Sequence, residues 1–102
     1  MMLTSVGTEE QALDIAHALV RLHFAACVNM IPAVRSIYRW KGKVEHETEF
    51  LLIIKTTSEQ AARLEAAFKE LHPYELPERI EVSVEGGSEP YLAWIAGEVQ
   101  NE

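Results

Sequence analysis

Phe50-Leu51-Leu52-Ile53-Ile54 is an unbroken apolar run held between Glu49 and Lys55. A strand with one wet face alternates polar and apolar side chains, whereas a continuous run demands burial on both faces. Whatever fold the chain adopts must put this strand inside a sheet and cover that sheet twice.

The flanking segments can supply one cover. Thr8-Glu9-Glu10-Gln11 has capping-box spacing, and Ala12, Ile15, Ala16, Leu19 and Leu22 follow it at helical period. Thr57 and Gln60 repeat the capping spacing ahead of Ala61, Leu64, Phe68 and Leu71. That second helix stops at His72-Pro73, because the residue before a proline is pushed out of the helical region. Leu3 to Val6 reads as a short strand, and Cys27 to about Trp40 as a long strand broken or bulged at Pro32. Lys41-Gly42-Lys43 reads as the hairpin turn that leads into the apolar run. Arg79 to Glu85 alternates strictly and predicts a strand with one wet face. After Gly86-Gly87, Ser88 and Pro90 open a last helix carrying Leu92, Ile95, Ala96 and Val99.

The order β-α-β-β-α-β plus a helix predicts an α+β, ferredoxin-like antiparallel sheet with its helices on one face, in a single domain over residues 1–102. The other face of the apolar strand then needs a second layer. Other copies of the chain can provide it, and Tyr38 and Trp40 on the hairpin are of the aromatic type enriched at interfaces. An obligate oligomer is expected.

Nine Lys and Arg against sixteen Asp and Glu give a net charge of −7, which repels phosphate backbones and anionic lipid. Nucleic acid and membranes are not expected as partners. With no signal-like leader and no span of membrane length, a cytoplasmic protein is expected, and a single cysteine agrees with a reducing compartment.

Few residues converge on chemistry. Cys27 and Met30 both carry soft sulfur, but three positions apart on a strand they point to opposite faces. His17 and His23 lie about 240° apart around a helix and cannot share a metal there. Glu45, Glu47 and Glu49 form a carboxylate ladder on one strand face, open to a hard cation. The alternative, which is favoured, is that they pair across the hairpin with Arg35, Arg39 or Lys41. Lys55 and His72 complete the polar groups that a neighbour's hairpin could bring together. No P-loop, GxGxxG fingerprint or GxSxG elbow is present, and no enzyme is expected.

Taken together, Ala-Ala-Cys-Val-Asn (25–29), Ser-Ile-Tyr-Arg-Trp-Lys-Gly-Lys-Val (36–44), Glu-Phe-Leu-Leu-Ile-Ile-Lys-Thr-Thr (49–57), Leu-His-Pro-Tyr-Glu-Leu-Pro (71–77) and Tyr-Leu-Ala-Trp (91–94) resemble the CutA divalent-cation tolerance family. The resemblance implies a homotrimer similar in architecture to the PII signalling proteins, and a role in tolerance of divalent metals. It also implies binding of copper or another divalent cation, with Cys27, His72 and Glu47 as candidate ligands. Tyr38, Trp40, Glu49 and Lys55 would line an inter-subunit cleft. With Cys27 the only thiol, a multi-thiolate copper site within one subunit is excluded. A PII-like sensor of an anionic small molecule held by Lys55 and a trimeric scaffold remain the alternatives. Cys27 is a packed strand residue unless another element or copy brings it a partner.

Overall fold

The computed structural model describes residues 1–99; residues 100–102 of the expected domain lie outside the described residues. The chain runs β1 (Met2–Val6), α1 (Glu9–Arg21), β2 (Cys27–Trp40), β3 (Lys43–Lys55), α2 (Ser58–Leu71), β4 (Ile80–Glu81) and α3 (Glu89–Glu98). The strands form one antiparallel sheet in the order β2-β3-β1-β4. The apolar run of β3 is therefore internal, between β2 and β1, as its composition requires.

Register assigns each side chain to a face. Met2 opposite Ile54, Thr4 opposite Leu52 and Val6 opposite Phe50 point toward the helices. They meet Ala12, Ile15 and Leu19 of α1 and Ala61, Leu64 and Phe68 of α2 in one core. Leu3, Ser5, Leu51 and Ile53 point the other way, together with Cys27, Asn29 and Ile31 of β2. On that second face Ile31 and Ile80 stay exposed. Leu3, Leu51 and Ile53 there are half-buried, and at one end Lys55 meets Tyr91 of α3.

Both helices begin where expected. Thr8 Oγ1 accepts from the Gln11 amide at 3.1 Å, and Thr57 Oγ1 accepts from the Gln60 amide at 3.3 Å. The second cap is not a reciprocal box, because the Gln60 side chain turns inward and donates to the carbonyls of His23 (3.0 Å) and Val99 (2.5 Å). The buried stripe of α1 contains Ala18, while Leu22 lies past the helix end and is exposed.

Lys41 (φ 49°) and Gly42 (φ 81°) make a two-residue turn with two left-handed residues, the form that matches strand twist. Pro32 and Ala33 stand opposite Phe50 alone, so the break expected at the proline is a β-bulge. The last strand is shorter than the 79–85 alternation suggests. It pairs Ile80 with Leu3 and Glu81 with Met2, and Val82 still bonds Met1 through its amide at 2.8 Å. Helix α3 buries none of its residues; Val99, just past it, is the one that enters the core.

Candidate functional site

The hairpin β2-β3 projects past the sheet, and beyond the bulge its register sets Val34 opposite Glu49, Ser36 opposite Glu47, Tyr38 opposite Glu45 and Trp40 opposite Lys43 on one face. Arg35 faces Thr48 and Arg39 faces Val44 on the other. The expected pairing of the glutamates with these arginines is thus corrected by the bulge-set register. The glutamates bond phenols instead. Tyr38 donates to Glu47 Oε1, and Tyr74 donates to Glu49 Oε2 at 2.7 Å.

The loop after α2 forms the opposite wall. Pro73 and Pro77 restrict its backbone, and His72 anchors it. The Tyr74 amide donates to His72 Nδ1 at 3.2 Å, so the ring carries its proton on Nε2 and donates it to the Ser5 carbonyl at 2.9 Å. Phe68 packs tilted against the ring and Tyr74 edge-on to it, at 5.2 and 4.9 Å between centroids. Between hairpin and loop lies an open cleft of about 1010 Å³, whose walls include Tyr38, Trp40, Glu47, Glu49, Tyr74 and Glu78.

Electrostatics follow from these contacts. The hydrogen bond to Glu47, with burial and the charges of Glu47, Glu45 and Glu49, pushes the Tyr38 phenol up to about 12. Burial first, then the bond to Glu49, raises Tyr74 as well. Burial lowers His72, against the opposing influence of the Ser5 carbonyl and Glu49. At neutral pH the Tyr38 and Tyr74 phenols therefore keep their protons, and the His72 imidazole beneath the cleft is neutral.

The expected site residues fall into separate places. Tyr38, Trp40, Glu47 and Glu49 share the cleft, and His72 lies beneath it with both ring nitrogens occupied. Lys55 is six residues along β3 from Glu49, about 20 Å away. It approaches Tyr91, with Nζ 3.3 Å from the hydroxyl, in a second cavity of about 490 Å³ bordered by Thr57, Ser58, Gly86 and Gly87. Cys27 pairs with Lys55 at that same end, half-exposed, its thiol donating weakly to Asn29 Oδ1 at 3.9 Å. Cys27, His72 and Glu47 do not meet within one chain, and among the described residues no three His, Cys, Asp or Glu side chains group to hold a metal. Tyr74, Glu78 and Tyr91 were not singled out from the sequence. The signal for Tyr74 is the pair of prolines around it.

The family model described as CutA1 divalent ion tolerance protein matches residues 1–98. The chain belongs to the CutA1 family. Among CutA relatives, the Protein CutA homolog of Xenopus laevis is 50% identical over 84 residues, 82% of this chain and 56% of the relative. The divalent-cation tolerance protein CutA of Thermus thermophilus is 43% identical over 95 residues, 93% and 92% of the two chains. The chain thus spans about half the length of the Xenopus relative and nearly all of the Thermus one. The solved Thermus CutA1 superposes with a TM-score of 0.94 at 41% identity, covering 97% and 96% of the two chains. The PII-like protein CutA from Nostoc sp. PCC 7120 gives 0.90 at 40% identity, covering 97% and 95%. The CutA fold and its PII-like kinship agree with the resemblance read from the motifs. No described helix is long and apolar enough to cross a membrane.

Proposed function

We propose that the protein serves divalent-cation tolerance as a cytoplasmic homotrimer that binds copper or a similar cation without catalysis, its cleft completed by a neighbouring copy. The observation that carries this reading is the pairing of a partly exposed, partly apolar sheet face with a cleft in which Glu47 and Glu49 present carboxylates. Glu47, exposed and on the cleft wall, is the ligand best placed to reach a cation. Cys27 can join only through a second copy. His72 would have to give up a backbone bond to bind metal, and its contacts suit a role in positioning the cleft loop.

Titration of the purified protein with Cu(I), Cu(II) and Zn(II) tests the metal. Binding is expected, with stoichiometry reduced in Glu47→Gln. Unchanged stoichiometry in Glu47→Gln, Cys27→Ala and His72→Ala would remove all three from the site.

A second reading has its own observation. Lys55 faces the cavity beside Tyr91, near the start of α2 and the Gly86-Gly87 turn, as an anion-binding lysine in a PII-like sensor would. Lys55→Ala should then abolish a metabolite-induced thermal shift. No shift across a metabolite screen would remove that reading.

A further inference from the structure

We propose that residues 73–79 form a strap latched shut through Tyr74, and that release of the Tyr74 phenol opens the base of the cleft and exposes the Glu49 carboxylate there. The strap borders the same cleft as the reading above but needs no bound metal, so the two stand or fall separately.

Both ends of the strap are fixed. At one end His72 donates to the Ser5 carbonyl and packs on Phe68. At the other, Arg79 donates to the Ala61 carbonyl at 2.8 Å and pairs with Glu65 and Glu81. The span between them is lightly held. Among the described residues, none of 73–79 makes a backbone-to-backbone hydrogen bond. Pro73, Glu75 and Leu76 are exposed, Leu76 to 70%. A segment with no ladder and few buried apolar contacts opens locally while the rest of the fold stays intact. Pro73 and Pro77 stiffen it, so it moves as a unit and does not fray residue by residue.

Two side-chain bonds tie the span to the sheet. The Tyr74 hydroxyl donates to Glu49 Oε2 at 2.7 Å, whereas the Ser5 hydroxyl reaches Glu78 at 3.4 Å. The shorter bond is much the stronger. The seat of the phenol also fits it. Gly7 lies against the hydroxyl, where a Cβ would come within 3.3 Å of it, and the ring meets His72 edge-on at 4.9 Å. Tyr74 is therefore the latch.

Glu49 defines the two positions. With the strap closed its carboxylate is 6% exposed, and the phenol's proton replaces lost water. With the strap open it regains water at the base of the cleft. The states differ by one hydrogen bond and the burial of one ring, a difference small enough to be reversible. Tyr38 has no such role, because its bond to Glu47 joins two strands of the same hairpin and leaves Glu47 exposed.

The test uses two readouts on the assembled protein: carboxyl labelling by carbodiimide with glycine ethyl ester, and limited cleavage by a glutamate-specific protease. In the parent, Glu47 should label readily and Glu49 little. Tyr74→Phe keeps the ring against His72 and removes only the hydroxyl. It should label Glu49 and be cut after Glu75 roughly tenfold faster or more, the shift in opening that loss of one such bond gives. Cleavage after Glu70, inside α2, should stay at the parent rate. Tyr38→Phe should change neither readout. Glu49 labelling as fast as Glu47 in the parent, or either readout unchanged in Tyr74→Phe, would overturn the proposal. So would an equal response in Tyr38→Phe, or a matching rise in cleavage after Glu70, since the hydroxyl would then hold the whole fold and not the strap.

Discussion

Single side chains decide the character of the cleft. His72 joins α2, β1 and the loop through both ring nitrogens, and burial holds it below its ordinary 6.5. The unfolded chain therefore takes up a proton near 6.5 that the folded chain refuses, so this residue's contribution is present above 6.5 and fades as pH falls below it. Thermal unfolding followed from neutral pH down through 6.5 should show a steeper loss in the parent than in His72→Asn. Parallel curves would contradict the role. Tyr38 gives a second prediction at this scale. The phenol pushed up to about 12 by Glu47 should vanish from an alkaline phenolate titration in Tyr38→Phe and move back toward 10 in Glu47→Gln. A Tyr38 transition near 10 in the parent protein would show that the bond to Glu47 does not form.

At the scale of elements, Gln60 ties three pieces together. From the first turn of α2 its amide reaches the carbonyls after α1 and after α3, and Arg63 donates to its oxygen at 3.2 Å. Gln60→Ala strands the buried Val99 carbonyl and removes the part-buried bond to His23, at a cost of about 1–3 kcal/mol. Lower stability and faster amide exchange around Val99 are expected, and unchanged exchange there would show that α3 is held by other contacts. Much of this level was legible in the sequence. The hairpin turn, the two capped helices and the internal position of β3 follow from Gly42, Thr8, Thr57 and the Phe50 to Ile54 run, because local chemistry decides them. The length of β4 was not, because alternation marks residues that suit a strand, while a ladder forms only where a neighbour pairs, here Leu3 with Ile80 and Met2 with Glu81. The Glu-Arg pairing was misread for a related reason: the bulge at Pro32 and Ala33 sets the register, and composition alone does not count its residues. The separation of Lys55 from the cleft belongs to the same class of feature, set by tertiary packing and not by any local pattern.

The whole molecule is more open than a chain of its mass should be on its own. Its radius of gyration is 14.2 Å, against about 12.8 Å for a compact domain of this length. Its accessible surface is 6850 Å², against about 5,800 Å² for a monomer of 11.5 kDa. The excess of about 1,000 Å² is of the size that one partner commonly buries in a stable interface. It is carried by the projecting hairpin, where Ile37 and Val44 are 72% and 64% exposed, by Ile31 and Ile80 on the second sheet face, and by the exposed Tyr91, Leu92 and Trp94 of α3. Neighbouring copies would cover these surfaces and turn the open cleft into an enclosed one. Native mass spectrometry of the untagged protein at micromolar concentration tests this assembly. A single species at three times the 11.5 kDa chain mass is expected; a monomer at that concentration would contradict it.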